Sequence, residues 1–200
     1  MNKKKAGEDF YFLEKIAKQH TIYTLNSTKV FPSIRGSWRV PFGTGQRVNR
    51  YLAKEQNEYL VYHPESFECL KKWLVILKNN SRTYSEIEQE AQIISPNILT
   101  FLVEQKFQKF WENACLLPEK QFLKAVRIWF DGFKTLKFLH HLRDTEYSFQ
   151  PMFIAIPSLA GNYDKSLLKF QSQAVPVRNV QVELLNAIRK LSADIALHKY

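Results

Sequence analysis

Apolar side chains recur every three or four residues through the middle of the chain, which is the spacing of one face of an α-helix. Phe67, Trp73 and Leu77 show this spacing in the first such segment, and Pro64 is well placed in its first turn. Three further segments of the same kind follow. The pattern therefore predicts a block of four helices over residues 64–144.

Two local signals mark where the second and third of these helices begin. Thr83 and Glu86 have the spacing of a capping box, in which the hydroxyl and the carboxylate satisfy each other's backbone amides. Ser95 before Pro96 is a second start signal, because serine caps helices well and proline fits the first turn. The helix that follows is predicted over residues 97–113.

The fourth helix is the longest and is predicted from about Glu119 to Leu142. Its apolar side consists of Phe122, Val126, Trp129, Phe130, Phe133 and Leu136. The opposite side is basic and carries Lys120, Lys124, Arg127, Lys134 and His141, with Lys137 adding to it. A basic face opposite a core face suits contact with a phosphate backbone, although ordinary surface helices also show charged residues there.

The remaining segments have weaker patterns. Residues 8–18 predict a short amphipathic helix. Residues 21–63 mix β-forming residues with Pro and Gly, which favours extended segments and turns and allows one hairpin. Within this range, residues 60–62 are predicted to be either a short strand or the lead-in to the next helix. The predicted architecture is mainly α. A basic extension that is partly β or irregular covers residues 1–63, and the four-helix bundle covers residues 64–144. A linker at 145–176 follows, and the helix at 177–200 opens a further helical domain.

Composition limits the classes of protein that this chain can belong to. Hydrophobic residues make up 45% of the chain, enough for a packed core, and only six glycines argue against a turn-rich all-β fold. Cys69 and Cys115 have no metal-binding spacing, so we expect buried free thiols in a reducing, cytoplasmic setting. No apolar run is long enough to cross a membrane, so no membrane partner is predicted.

Positive charge is concentrated near the start of the chain. The net charge is +10, and residues 1–63 hold 11 Lys and Arg against 5 Asp and Glu, a surplus of six. Between Glu14 and Glu55 there is no acidic residue, and the interval contains Arg35, Arg39, Arg47 and Arg50 with aromatic residues among them. This predicts a basic arm that binds nucleic acid. A solvated loop with acidic partners elsewhere in the fold, or an acid-poor targeting segment, would show the same pattern.

Motifs for catalysis, metals or cofactors are lacking in the sequence. The five histidines show no metal-ligand spacing, and Gly43-Thr44-Gly45 has too few glycines for a phosphate loop and predicts a turn. Glu86, Glu88 and Glu90 predict a solvated helix face. We therefore expect no metal, no cofactor and no complete catalytic set.

The order of elements from Phe67 onward resembles the core-binding domain of tyrosine recombinases of the phage-integrase type. The likeness covers roughly residues 67–190. It rests on the basic and apolar pattern Phe122-Leu123-Lys124-Ala125-Val126-Arg127, continuing through Phe138-Leu139, on the proline-bearing segment from Gln150-Pro151-Met152, and on the lead-in Val175-Pro176-Val177-Arg178. In that family a small four-helix domain clamps one side of the DNA duplex.

The resemblance implies a DNA-binding module for DNA integration or recombination. The family's catalytic domain needs arginines, a lysine and a tyrosine nucleophile over more than a hundred further residues, and Tyr200 comes too early to be that nucleophile. The module is thus expected to be non-catalytic as it stands, with Lys120, Lys124, Arg127, Lys134 and Lys137 on the DNA backbone, and self-association on DNA is left open.

Two other functions fit the same residues. An RNA- or single-strand-binding ribonucleoprotein subunit would stack bases on Trp38, Phe42 and Tyr51. A helical protein-interaction subunit without nucleic acid would use exposed aromatic residues as its interface, with Phe107, Phe110, Trp111, Trp129 and Phe138 as candidates.

Overall fold

The structure is a computed structural model that describes residues 8–23, 28, 35–36, 44–55 and 57–197. It is mainly α-helical, which confirms the predicted fold class. Its helices and strands are, in chain order, α1 (Glu8–Ala17), α2 (Thr44–Ala53), β1 (Leu60–Val61), α3 (Pro64–Ile76), α4 (Tyr84–Ile94), α5 (Asn97–Glu104), α6 (Phe107–Ala114), α7 (Glu119–Trp129), α8 (Gly132–Thr145), β2 (Gln150–Pro151), α9 (Met152–Gly161), a 3₁₀ helix (Lys165–Phe170) and α10 (Arg178–Leu197).

The central block, residues 64–145, contains six helices where the sequence pattern predicted four. The predicted third helix is divided into α5 and α6 at Lys106, whose φ of 54° is left-handed and cannot continue a helix. The predicted long fourth helix is divided into α7 and α8. At that break the Asp131 carboxylate accepts a hydrogen bond from the backbone N–H of Lys134 at 3.0 Å, so Asp131 is the N-cap of α8.

Where start signals were clear in the sequence, the structure confirms them. The Thr83 hydroxyl accepts from the Glu86 N–H at 3.3 Å, and the Glu86 carboxylate accepts from the Thr83 N–H at 2.7 Å. Ser95 Oγ accepts a hydrogen bond from the N–H of Asn97, the first residue of α5, at 3.2 Å. Ser95 therefore caps α5, with Pro96 between the cap and the first residue of the helix.

Aromatic rings fill the core of the central block. Trp73, Trp111, Phe101, Phe107, Phe122 and Phe138 are all fully buried. Many pairs meet edge to face, as Phe101 and Phe138 do with ring centroids 5.2 Å apart and planes at 87°. The interpretation of Phe107, Trp111 and Phe138 as interface residues is therefore wrong, because six helices bury what four would have left open. Phe110 and Trp129 are half-buried.

The first part of the chain packs onto this block. Helix α1 confirms the predicted short helix, and its Phe10 meets Phe133 of α8 edge to face at 4.8 Å.

Residues 44–53 were predicted as extended and are helical in α2, so that prediction was wrong there. Strand β1 pairs antiparallel with β2, which lies far along the chain, and no hairpin joins them. The predictions for 24–27, 29–34 and 37–43 lie outside the described residues. Gly43 of the predicted Gly43-Thr44-Gly45 turn is among them, and the other two residues of that turn begin α2.

The segment predicted as a linker, 145–176, contains α9 and the 3₁₀ helix instead. Phe153, Leu167 and Phe170 form a second small core there with Leu184 of α10, and α10 confirms the helix predicted from residue 177. Pro157 lies inside α9 and has no N–H to donate to the carbonyl of Phe153. That carbonyl accepts from the N–H of Ser172 at 3.0 Å, so the proline leaves no unpaired group. Of the prolines that indicated a linker, Pro157 is thus accommodated inside a helix, whereas Pro151 lies in β2 and Pro176 precedes α10.

Candidate nucleic-acid interface

Helix α7 has one face in the core and one face in solvent. Glu119 lies in its first turn, where a carboxylate interacts well with the helix dipole, while Phe122 and Val126 are buried against the core. The predicted cations Lys120, Lys124 and Arg127 are all exposed. At about 100° per residue they lie within roughly 60° of one another around the helix, so they form one stripe. We call Lys120, Lys124 and Arg127 the α7 basic stripe.

The α7 basic stripe is not neutralised within the described part of the chain. No carboxylate among the described residues lies within ion-pairing distance of its three side chains. Lys120 and Lys124 repel each other across one turn, and Lys120 opposes the dipole in the first turn; each effect costs a few tenths of a kcal/mol in a typical helix. An anion bound along the stripe would remove both costs.

The other two predicted cations of this region lie on α8 and are separated from the stripe by the break at Asp131. Lys137 is exposed. The Lys134 ammonium lies 4.6 Å from the centroid of the Trp129 ring. Burial lowers the pKa of Lys134, and the nearby charges of Lys137 and Lys18 lower it further against the opposing effect of Asp131. The single long basic face predicted for residues 119–142 is therefore wrong, and two basic patches on different helices replace it.

His141 does not belong to either patch. Its Nε2 lies 2.7 Å from the carbonyl oxygen of Asn97, so the ring is engaged between α8 and the start of α5. His141 would lie on the basic face only if one unbroken helix ran from Glu119.

Some cations of the predicted basic arm are paired with acidic residues from outside the acid-free interval. Arg47 and Arg50 each place Nε 3.0 Å from an oxygen of the Glu58 carboxylate. Lys18, from the same acid-free interval, lies 2.7 Å from the Asp131 carboxylate and 3.4 Å from Glu14. These pairs match the alternative in which acidic partners lie elsewhere in the fold. The side chain of Arg47 nevertheless remains 63% exposed.

The other residues of the arm contribute less to the described surface. Arg35 is exposed and lies outside any helix, whereas Arg39, Trp38 and Phe42 lie outside the described residues. Tyr51, proposed above as a stacking residue, has its hydroxyl 3.1 Å from that of Tyr59.

Lys78 is a cation that the sequence analysis missed. It follows α3 and, with Arg127 of the α7 basic stripe, lines a groove of about 570 Å³ between α3 and α7, whose apolar lining includes Leu74 and Leu123. The signal for it is weak in the sequence, because only the packing of α3 beside α7 brings Lys78 near the stripe.

The described residues contain no cluster of three His, Cys, Asp or Glu side chains that could hold a metal. Both cysteines are free thiols; Cys69 is buried as predicted, Cys115 is half-buried, and burial raises the pKa of each. No helix in the described ranges has the length and apolar character needed to span a bilayer.

Comparisons with protein-family models, curated proteins and solved structures give no match to this chain.

Proposed function

We propose that this chain is a DNA-binding module that contacts the phosphate backbone of duplex DNA through the α7 basic stripe. The observation that supports this most directly is the position of Lys120, Lys124 and Arg127, which share one exposed face of a helix and have no acidic partner among the described residues. Net charge alone would not support it, because several other cations of the chain are paired internally.

The dimensions of the stripe suit a phosphate backbone. Seven residues separate Lys120 from Arg127, which at 1.5 Å per residue is about 10 Å along the helix axis. Each strand of duplex DNA carries one phosphate per roughly 3.4 Å of axis, so a length of about 10 Å contains about three phosphates of one strand. Each of the three cations can therefore pair with its own phosphate, and Lys78, which lines the groove beside Arg127, extends the basic surface.

In this proposal α7 makes the main contact with the DNA backbone, and the basic arm contributes less to DNA binding. Arg47 and Arg50 are held by Glu58, and only Arg47 remains largely exposed. Site-specific recombination is the setting that the sequence resemblance suggests for such a module, with the chain binding DNA and leaving strand cleavage to other residues.

A pair of charge-matched variants tests the proposal. The stripe variant carries Lys120→Gln, Lys124→Gln and Arg127→Gln. The control variant carries Lys165→Gln, Arg178→Gln and Arg189→Gln, which are exposed positions in and near the 3₁₀ helix and α10. Both lose three positive charges, and circular dichroism checks that both remain folded.

Fluorescence anisotropy of a labelled duplex then gives the affinity of each variant. We expect the stripe variant to bind about 500-fold more weakly than the control at about 0.1 M salt, because three lost phosphate contacts remove about 2.7 from the slope of log K against log salt, counted from about 1 M salt. Equal affinities of the two variants would mean that binding follows net charge and would overturn the proposal. Tighter binding to a single strand of the same sequence would also contradict it, in favour of single-strand recognition.

A further inference from the structure

A second groove lies between α6 and α7, apart from the α7 basic stripe. Its volume is about 550 Å³, and Phe110, Ala114, Leu117, Ala125 and Trp129 provide its apolar lining. Ala114 and Ala125 come from the two helices that border the groove, and their short side chains leave room that larger residues would fill. At about 100° per residue, Ala125 and Trp129 lie roughly 150° around α7 from the centre of the stripe.

The charged residues that line this groove are all cations. Lys106 and Lys109 line it together with the uncharged Gln105 and Asn113, and no carboxylate of the described residues does. A third cation is close by, since the Lys134 ammonium lies 4.6 Å from the centroid of the Trp129 ring. An apolar floor lined by two lysines, and by no carboxylate of the described residues, is complementary to a ligand that is both apolar and acidic.

The backbone at Lys106 gives a separate indication. Its φ of 54° is left-handed, a region that lysine adopts at a cost of about 1–2 kcal/mol and glycine without one. Residues held in sparsely populated backbone conformations cluster at active sites and ligand-binding sites, and left-handed residues also end helices, as Lys54 does after α2. Here the strained residue is one of the two lysines that line the groove.

Stacked bases are a poor fit to the same groove. The Trp129 ring is stacked on Phe110 with centroids 4.9 Å apart and planes at 15°, and Lys134 lies over it. Little ring face is left for a base, although base stacking on aromatic rings is the usual source of single-strand affinity. The floor instead offers space for an aliphatic or aromatic side chain.

We propose that the groove between α6 and α7 docks an acidic amphipathic peptide segment of a protein partner. An apolar side chain of the segment packs on Phe110 and Trp129, and its carboxylates pair with Lys106 and Lys109. This docking mode places apolar anchors in a groove and lets charges at the rim select the partner. It uses a different surface from the proposed DNA contact and does not depend on it.

The test is a selection of short random peptides displayed on phage, panned on the full chain. Selected peptides are synthesised with a fluorescent label and titrated by anisotropy against wild type and three variants. Lys106→Gln with Lys109→Gln removes the rim charges, and Ala125→Leu fills the floor. The stripe variant of Lys120, Lys124 and Arg127 is the matched control.

We expect the selected peptides to combine Asp or Glu with Leu, Ile or Phe. They should lose about tenfold in affinity on the rim variant, as expected for two partly exposed ion pairs, and a similar factor on Ala125→Leu, while binding the stripe variant like wild type. A failure to enrich any peptide, or equal binding to wild type and to the rim variant, would overturn the proposal.

Two further measurements would show whether DNA or a second copy of the chain, instead of a partner peptide, occupies the groove between α6 and α7. Displacement of a selected peptide by unlabelled duplex DNA would assign the groove to nucleic acid. Sedimentation of the wild type as a dimer, converted to monomer by Ala125→Leu, would assign it to a second copy of the chain. Either result would overturn the docking of a partner peptide.

Discussion

Asp131 stands between α7 and α8 and makes two interactions there, the N-cap of α8 and an ion pair with Lys18. Substitutions at Asp131 should separate the contributions of these two interactions to the free energy of unfolding. The carboxylate caps α8 by accepting from the Lys134 N–H at 3.0 Å, and it also accepts from the Lys18 ammonium of the segment after α1 at 2.7 Å. Loss of an N-cap costs about 1 kcal/mol, and asparagine caps as well as aspartate. The side chain of Lys18 is 33% exposed, so after solvent screening we assign its ion pair about 0.5–1 kcal/mol.

Three variants then predict a definite order of stability. Asp131→Asn keeps the cap and loses the ion pair with Lys18, so it should lower the free energy of unfolding by about 0.5–1 kcal/mol. Lys18→Gln loses that pair and the one with Glu14, so it should cost at least as much. Asp131→Ala loses both the cap and the ion pair with Lys18 and should lower the free energy of unfolding by about 1.5–2 kcal/mol. Urea denaturation followed by circular dichroism measures all three. Equal effects of Asp131→Asn and Asp131→Ala would show that Asp131 does not cap α8, and an unchanged Asp131→Ala would refute both assignments.

The same carboxylate should affect acid stability. Burial alone would raise the pKa of Asp131, but the hydrogen bonds from Lys18 and from the Lys134 N–H outweigh it and lower that pKa. A carboxyl with a lowered folded-state pKa contributes stability above its unfolded value of about 3.9, and this stability is lost as the pH falls through the folded value. The acid limb of the unfolding free energy should therefore be shallower in Asp131→Asn.

Three further predictions concern other parts of the fold. Thr83→Ala removes the hydroxyl that caps α4 and should cost about 1 kcal/mol in urea denaturation, whereas Thr83→Ser should cost much less. Lys106→Gly relieves the left-handed backbone and should raise the free energy of unfolding by about 0.5 kcal/mol, after allowing for the greater unfolded-state entropy of glycine; a loss of stability would contradict the strain. Burial and the charge of Arg143 lower the pKa of His140, so the unfolding free energy should fall as the pH drops below about 6.5. His140→Phe should flatten that dependence, and an unchanged slope would show that His140 titrates as it does in the unfolded chain.

Features carried by short-range signals could be predicted from the sequence. The capping box at Thr83 and Glu86, the start of α3 at Pro64 and the apolar spacing of α10 depend only on neighbouring residues, and the structure confirms each. The mainly α fold class follows from the same local periodicity.

Helix breaks and long-range pairings could not be predicted in the same way. The apolar spacing runs through Phe130 because α7 and α8 bury their faces in one core, so periodicity alone hides the cap at Asp131. Helix α9 contains a proline whose missing hydrogen bond is compensated by Ser172, a residue outside that helix. In both cases tertiary contacts override a local pattern.

The candidate site was predicted in part. Lys120, Lys124 and Arg127 are exposed on one helix face as the spacing indicated. The arm was predicted to bind nucleic acid, with pairing to acidic residues elsewhere in the fold as the alternative, and Arg47 and Arg50 share the carboxylate of Glu58, which stands just beyond the acid-free interval. Sequence distance from an acidic residue is thus a poor guide to ion pairing when the chain folds back through a turn.

The salt dependence of duplex binding by the full chain tests the proposed DNA contact most directly. Anisotropy of a labelled duplex, titrated with the chain at several salt concentrations, gives the slope of log K against log salt. Three phosphate contacts from the α7 basic stripe predict a slope of about −2.7 or steeper. A slope near zero, or no binding even at the lowest salt concentration, would contradict phosphate neutralisation by this face.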